Sequence, residues 1–173
     1  MEMFVKTRRL YLRNLRQADA DIMYAYRNDP DCARFQRWED TSMTAIRKLI
    51  DTFRDCVFLS DQEEQHYAVC TCDGTFAGDL TYFYTETDAC VTLGITMAPE
   101  HQRRGIAREM LASVISAIQT RHPALDIVAL IDPENMPSIA LFESLGFYRE
   151  CYAESIHSYV YVIDGNSQGA HIQ

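Results

Sequence analysis

Leu93-Gly94-Ile95-Thr96-Met97-Ala98-Pro99-Glu100-His101-Gln102-Arg103-Arg104-Gly105-Ile106-Ala107 is the stretch on which the fold turns. It begins in a strand-like run and breaks at Ala98-Pro99. It then enters a segment in which Ile106, Met110, Leu111, Val114, Ile115 and Ile118 recur at helical spacing until Pro123 closes it. Gln102–Ala107, at the junction, presents backbone N–H groups that a starting helix cannot satisfy internally, at the positive end of the helix dipole. Gly105 removes the side chain that would keep an anion away, and Arg103 and Arg104 add charge, so the segment can cradle a pyrophosphate. The same six residues also suit a helix that merely opens on a basic, glycine-containing turn. Neither the G-x-x-x-x-G-K-S/T phosphate loop nor the G-x-G-x-x-G dinucleotide fingerprint occurs, which removes the main support for a nucleoside-triphosphate enzyme.

Upstream, the pattern predicts an antiparallel meander: His66–Cys72, a turn at Cys72-Asp73-Gly74, Thr75–Tyr84, a connection Thr85-Glu86-Thr87-Asp88, and Ala89–Met97. Downstream, Leu125–Ile131 is a continuous apolar run of the kind buried on both faces of a sheet. Asp132-Pro133-Glu134-Asn135 then turns into a short helix with Ile139, Phe142 and Leu145 inward and Gly146 at its end. Ser158–Ile163 alternates again. Toward the N-terminus, Arg9–Leu15 alternates as a first strand, and Asp19 or Asp21 caps a helix that Asn28-Asp29-Pro30 stops. Thr41 or Ser42 opens another helix, with Ile46, Leu49, Ile50 and Phe53 on one stripe. This order of elements predicts an α/β or α+β architecture, a mixed sheet with helices packed on it.

The 173 residues make one domain, expected to run from residue 1 to 164, and Gly165–Gln173 is too poor in apolar residues to order itself. With 47% hydrophobic and 24% charged residues the chain is globular, and a formal charge of −9 opposes a nucleic-acid partner. The N-terminus lacks an apolar signal core, and no run approaches the roughly 18 apolar residues of a membrane span, which reads as cytoplasmic. Cys32, Cys56, Cys70, Cys72, Cys90 and Cys151 lack metal-ligand spacing and read as free thiols, with no metal site expected. His66, His101, His122, His157 and His171 are scattered and read as solvated or locally bonded.

The Leu93–Ala107 string resembles the acetyl-CoA-binding motif of the GNAT superfamily of N-acetyltransferases, whose core is Q/R-x-x-G-x-G/A. Asn135-Met136-Pro137-Ser138, followed by Leu141-Phe142-Glu143-Ser144-Leu145-Gly146-Phe147, resembles its second motif. Arg8–Leu15 with Asp19 and Asn28-Asp29-Pro30 is similar to the opening of the branch that includes the ribosomal-protein N-terminal acetyltransferases. The resemblance runs from about Thr7 to Ile163. It implies a mostly antiparallel sheet splayed between its fourth and fifth strands, Ala89–Met97 and Leu125–Ile131, flanked by helices. The pantetheine arm of acetyl-CoA would enter the resulting V and pair with backbone groups of Ile95, Thr96 and Met97. Gln102, Arg103, Arg104, Gly105, Ile106, Ala107 and Arg108 would hold the pyrophosphate, and Asn135, Ser138 and Phe142 would line the cofactor. Asn135 also suits a helix cap. A homodimer is plausible by analogy only.

The implied reaction is attack of a neutral primary amine, on a protein N-terminus or a small molecule, on the thioester carbonyl, with the oxyanion held near Ile95–Met97. A lysine-like amine, at about 10.4, needs a base or a desolvated pocket more than an α-amino group at about 8 does. Where many members carry a Tyr acid this chain has Phe142, so Ser138 is the nearest proton donor, although a helix-start hydroxyl suits it equally. Where the branch often carries a Glu this chain has Thr92. Asp79 is the substitute base if Tyr84 pairs with Ala89, which sets Asp79 opposite Gly94; Glu86, in the hairpin toward the acceptor side, is another, and bound water a third. The loop from Arg34 to Thr41, with Phe35 and Trp38, is expected to border the acceptor pocket. A catalytically silent acyl-CoA-binding regulatory module is the alternative to an enzyme.

Overall fold

The computed structural model describes residues 2–165. Most of the expected tail, with His171, lies outside the described residues; Gly165, its first residue, donates its N–H to Asp126 Oδ1 at 2.7 Å. The strands are β1 (Val5–Lys6), β2 (Leu10–Asn14), β3 (Glu64–Thr71), β4 (Phe76–Thr85), β5 (Cys90–Met97), β6 (Asp126–Ile131), β7 (Tyr148–Ala153) and β8 (Ser158–Ile163). The helices are α1 (Ala20–Arg27), α2 (Pro30–Ala33), α3 (Met43–Phe53), α4 (Ile106–Arg121) and α5 (Met136–Ser144). The strands form one sheet in the order β1-β2-β3-β4-β5-β6-β8-β7, antiparallel at every step except β5/β6. This is the mixed sheet with flanking helices that the pattern of elements predicted, in the mostly antiparallel arrangement that the resemblance implies.

Alternation along the strands sorts the side chains into two layers. Tyr67, Val69, Leu80, Tyr82, Val91 and Leu93 share one core with Met110, Leu111, Val114 and Ile118 of α4. Tyr11, Ala68, Cys70 and Phe76 share the other with Met23 and Tyr26 of α1 and Ile46 and Ile50 of α3. Ser42 caps α3, accepting from the Ala45 N–H at 3.2 Å. Asp19 does not cap α1 with its side chain. Its carboxylate instead accepts the Arg16 N–H and both Nη groups of buried Arg13, at 2.7 and 2.8 Å.

Two strands were not legible in the sequence. β1 has two residues, too few to show a period, and β7 is an edge strand, exposed along most of its length and broken by a register shift between Arg149 and Cys151. Asn28-Asp29-Pro30 does end α1, but Asp29 then caps the short α2, accepting from the Asp31 and Cys32 N–H groups at 3.0 Å. All six cysteines are free. Among the described residues, no helix is long and apolar enough to cross a membrane.

The β4–β5 hairpin corrects the expected register. Thr85 pairs with Cys90 and Tyr84 with Val91, so the connection is Glu86–Ala89, with Ala89 at φ +47°. Asp79 therefore faces Thr96 rather than Gly94. A slip of two residues preserves the face, so Asp79 still shares one side of the sheet with Thr92 and Gly94.

Candidate active site

β5 and β6 pair at only three positions: Cys90 with Asp126, Val91 with Ile127 and Thr92 with Val128. Beyond Thr92, β5 stays with β4 as far as Met97, while β6 pairs along its far edge with β8. The backbone edge of Leu93–Met97 is thus left open toward β6. The approach of β5 to β4 is close at Gly78, where a Cβ would lie 2.1 Å from the Thr96 carbonyl oxygen, a proximity that only glycine permits.

Two cavities that share Phe35, Ile95, Thr96, Asn135 and Ser138 on their walls lie in the V. The larger, of about 410 Å³, is lined by Ile95, Thr96, Met97, His101, Gln102, Arg103, Arg104, Gly105, Ile106, Ala107, Arg108, Asn135 and Ser138, together with Asp31, Cys32, Phe35 and Leu141. The smaller, of about 130 Å³, is walled by Phe35, Trp38, Asp79, Thr81, Gly94, Asp132, Ser138 and Phe142, among others. All but one of the site residues expected from the sequence line one of the two. Glu86 lines neither: it is exposed at the closed end of the V, where β5 and β6 are still paired.

The turn before α4 carries the backbone shape of an anion cradle. Arg103 and Gly105 have φ of +58° and +70°, and Gly105 is the N-cap of α4 with no side chain satisfying the first N–H groups. A Cβ at Gly105 would meet only Arg9 Nη2, at 3.8 Å, so glycine serves here for its backbone conformation rather than for want of room. A clamp from the other end of the chain holds the turn. Glu109 accepts from Thr7 Oγ1 (2.6 Å), the Arg9 N–H (3.0 Å) and Arg9 Nε (2.6 Å), and Arg9 Nη1 donates to the Arg104 carbonyl at 3.0 Å. Partial burial pushes the Glu109 carboxyl up, but the hydrogen bonds from Thr7 and Arg9 outweigh it and hold the group below its usual 4.5.

Two cradle side chains are spent within the protein. Gln102 Nε2 donates to the Met97 carbonyl (3.0 Å) and to Cys32 Sγ (3.3 Å), which ties the end of β5 to α2. The Arg108 guanidinium reaches the Ser144 hydroxyl and carbonyl, both at 3.2 Å, at the end of α5. Asn135 is the cap of α5, its Oδ1 accepting the Ser138 N–H at 3.2 Å. With the cap supplied by Asn135, the Ser138 hydroxyl makes no hydrogen bond among the described residues, and the residue borders both cavities. Phe142 is buried edge-on against Phe147, with ring centroids 5.1 Å apart.

Asp79 is buried. Its Oδ1 accepts the Tyr26 hydroxyl and its Oδ2 takes Arg27 Nη2 at 3.4 Å. Burial and the adjacent carboxylate keep the Tyr26 phenol protonated well beyond its usual range. Arg27 in turn lies over the Trp38 ring, 4.8 Å from its centroid. Phe35, Gln36 and Trp38 of the Arg34–Thr41 loop line the smaller cavity, and the loop is strapped across to β8, where Arg37 donates to Ser158 Oγ (2.7 Å) and to the Ile156 carbonyl. Sequence reasoning passed over Asp132, which looked like a turn residue; its place directly after a buried strand and three residues before Asn135 was the available signal.

A family model described as "Acetyltransferase (GNAT) domain" matches residues 9–148. An N-acetyltransferase of Bacillus licheniformis, p20, itself uncharacterized, is 26% identical over 145 residues, which cover 83% of this chain and 82% of that one. Similar folds include a provisionally named ribosomal-protein-serine acetyltransferase of Vibrio cholerae, with TM-score 0.78, 22% identity, and 94% and 97% of the two chains covered. They also include the spermidine N-acetyltransferase of Vibrio cholerae in complex with CoA and spermine, with TM-score 0.69, 20% identity, and 90% and 95% covered.

Proposed function

Because this chain belongs to the GNAT acetyltransferase family, we propose that it moves the acetyl group of acetyl-CoA onto a primary amine, on a protein N-terminus or a small molecule, by direct attack in a ternary complex. The observation that carries the reading is the open edge of β5 beside a left-handed glycine turn, both bordering one cavity of about 410 Å³. The residues suit the cofactor chemically. Arg103, Arg104 and the uncapped N–H groups at the start of α4 favour phosphate, whereas Ile95, Ile106, Ala107 and Leu141 favour an apolar arm.

Acetyl-CoA supplies an activated thioester. The chain's part is to hold the pantetheine along Ile95–Met97, to cradle the pyrophosphate on Gln102–Arg108 and to offer backbone N–H groups to the developing oxyanion. Ser138, freed from capping by Asn135, gives a proton to the departing thiolate sulfur, a role that Phe142 cannot fill. Asp79 acts from behind the acceptor cavity: it fixes Tyr26 and Arg27, and through Arg27 the Trp38 wall. Thiol release from acetyl-CoA over a panel of amines tests the reading. Turnover on at least one amine is expected; tight acetyl-CoA binding with no turnover on any amine would instead favour a silent acyl-CoA-binding module.

A further inference from the structure

The acceptor end of the V contains two carboxylates, and they are in different states. Asp79 has both oxygens engaged and its charge offset by Arg27. Asp132, immediately after β6, has one oxygen fixed: Oδ1 accepts the Glu134 N–H at 2.9 Å, while its own carbonyl accepts the Asn135 N–H at 2.9 Å. Oδ2 has no hydrogen-bond partner among the described residues. Asp132 therefore stands held by a local turn, with one oxygen unused, on the wall of the smaller cavity opposite Gly94–Thr96. No Lys, Arg or His is among the described residues lining that cavity, whereas the larger one carries Arg103, Arg104 and Arg108 against a single carboxylate, Asp31. The cleft is basic at one end and acidic at the other.

We propose that Asp132 binds the acceptor's ammonium group and takes its proton, and that the acceptor is an amine bearing no carboxylate beside its nitrogen. The proposal rests on the acetyl-transfer reading above. The R–NH3⁺ group gives one proton to Asp132 Oδ2, and the nitrogen lone pair then forms the N–C bond as the carbonyl π pair moves to oxygen. Collapse breaks the C–S bond, with its electron pair going to sulfur; of the nitrogen's two remaining protons, one stays on the amide and one reaches the thiolate by way of Ser138. The proton on Asp132 leaves to solvent. A cavity of about 130 Å³ between Trp38 and Phe35 accommodates one amine-bearing residue or a short alkyl stem. The Asp132 carboxylate, which no cation among the described lining residues offsets, repels the carboxylate of a free amino acid, while an amide-capped amino acid or an alkyl diamine escapes that penalty.

Asp132→Asn and Asp132→Glu test the assignment against paired acceptors: serinamide with serine, lysinamide with lysine, and 1,5-diaminopentane. Asp132→Asn should lower kcat/KM for the acceptor by about 100- to 10,000-fold at pH 7, the scale of lost general-base catalysis, with the acetyl-CoA KM within twofold of wild type. Activity should recover as pH rises and solvent deprotonates the amine; the other titratable side chain on this cavity, Asp79, is unchanged in the variant. Asp132→Glu should restore part of the rate, and capped acceptors should exceed free amino acids at least tenfold. Acceptor kinetics of Asp132→Asn within twofold of wild type, or equal use of serine and serinamide, overturns the proposal. Calorimetric titration of the CoA-saturated protein with the same amines separates it from the acetyl-transfer reading. If wild type turns over nothing yet binds an amine that Asp132→Asn does not, the ammonium site stands and the enzyme reading falls; no binding of any amine to wild type sinks the site.

Discussion

Replacing Gly78 by Ala should damage both the fold and the cofactor cleft, and the size of the effect can be worked from one contact. A Cβ on Gly78 would sit 2.1 Å from the Thr96 carbonyl oxygen and 2.9 Å from the Met97 Cα. Both are backbone atoms, so no side-chain rotation relieves the overlap, and β4 and β5 must part by about 0.9 Å to reach the 3.0 Å that real Cβ atoms respect. Gly78 has no freedom to yield, since its neighbours Ala77 and Leu80 are fully buried and the Ala77 carbonyl holds the Ala98 N–H at 2.9 Å. Overpacking of this kind costs about 1–3 kcal/mol. For a chain of this length that is a fall in Tm of about 2–12 °C. The atoms forced to move lie in the β5 segment assigned to the pantetheine, and a misplacement near 1 Å can cost about 100-fold in rate. Differential scanning fluorimetry gives the first number, and thiol release at 15 °C, where the variant remains folded, gives kcat/KM for acetyl-CoA. A Tm within about 1 °C of wild type, or a destabilised variant whose kcat/KM is unchanged, would show that this close approach does not shape the cleft.

Gly105→Val places a β-branched residue at φ +70°, a strain of at least about 1–2 kcal/mol, so the cradle must bend and acetyl-CoA affinity measured by calorimetry should weaken tenfold or more; unchanged affinity would refute the assignment of this turn to the pyrophosphate. Glu109→Gln should show a pH-dependent cost. The folded carboxyl lies below its usual 4.5, so its stabilisation is complete above that value and is lost as pH falls through the lowered one. The Tm gap between wild type and variant should be widest near neutrality and close toward pH 3; a gap that widens on acidification would contradict the Thr7–Arg9–Glu109 clamp.

What the chain's own order of residues determined is what neighbours in sequence can encode. Period-two and period-3.6 patterns placed six of the eight strands and the main helices, and the Gln102–Ala107 turn was legible because its N–H groups, glycine and arginines lie within six positions. Asn135 and Ser138 were legible for the same reason, although which of them caps α5 needed coordinates. Tertiary structure alone decided how far β5 and β6 stay paired, that the hairpin register moves Asp79 opposite Thr96, and that this carboxylate is already claimed by Tyr26 and Arg27, about fifty residues away. It likewise joined Arg9 to Glu109 and left one oxygen of Asp132 open on the acceptor wall. The physical reason is that alternation specifies which face a side chain takes but not which residue of another strand it meets, and whether a carboxylate is free depends on partners brought together only when the sheet closes.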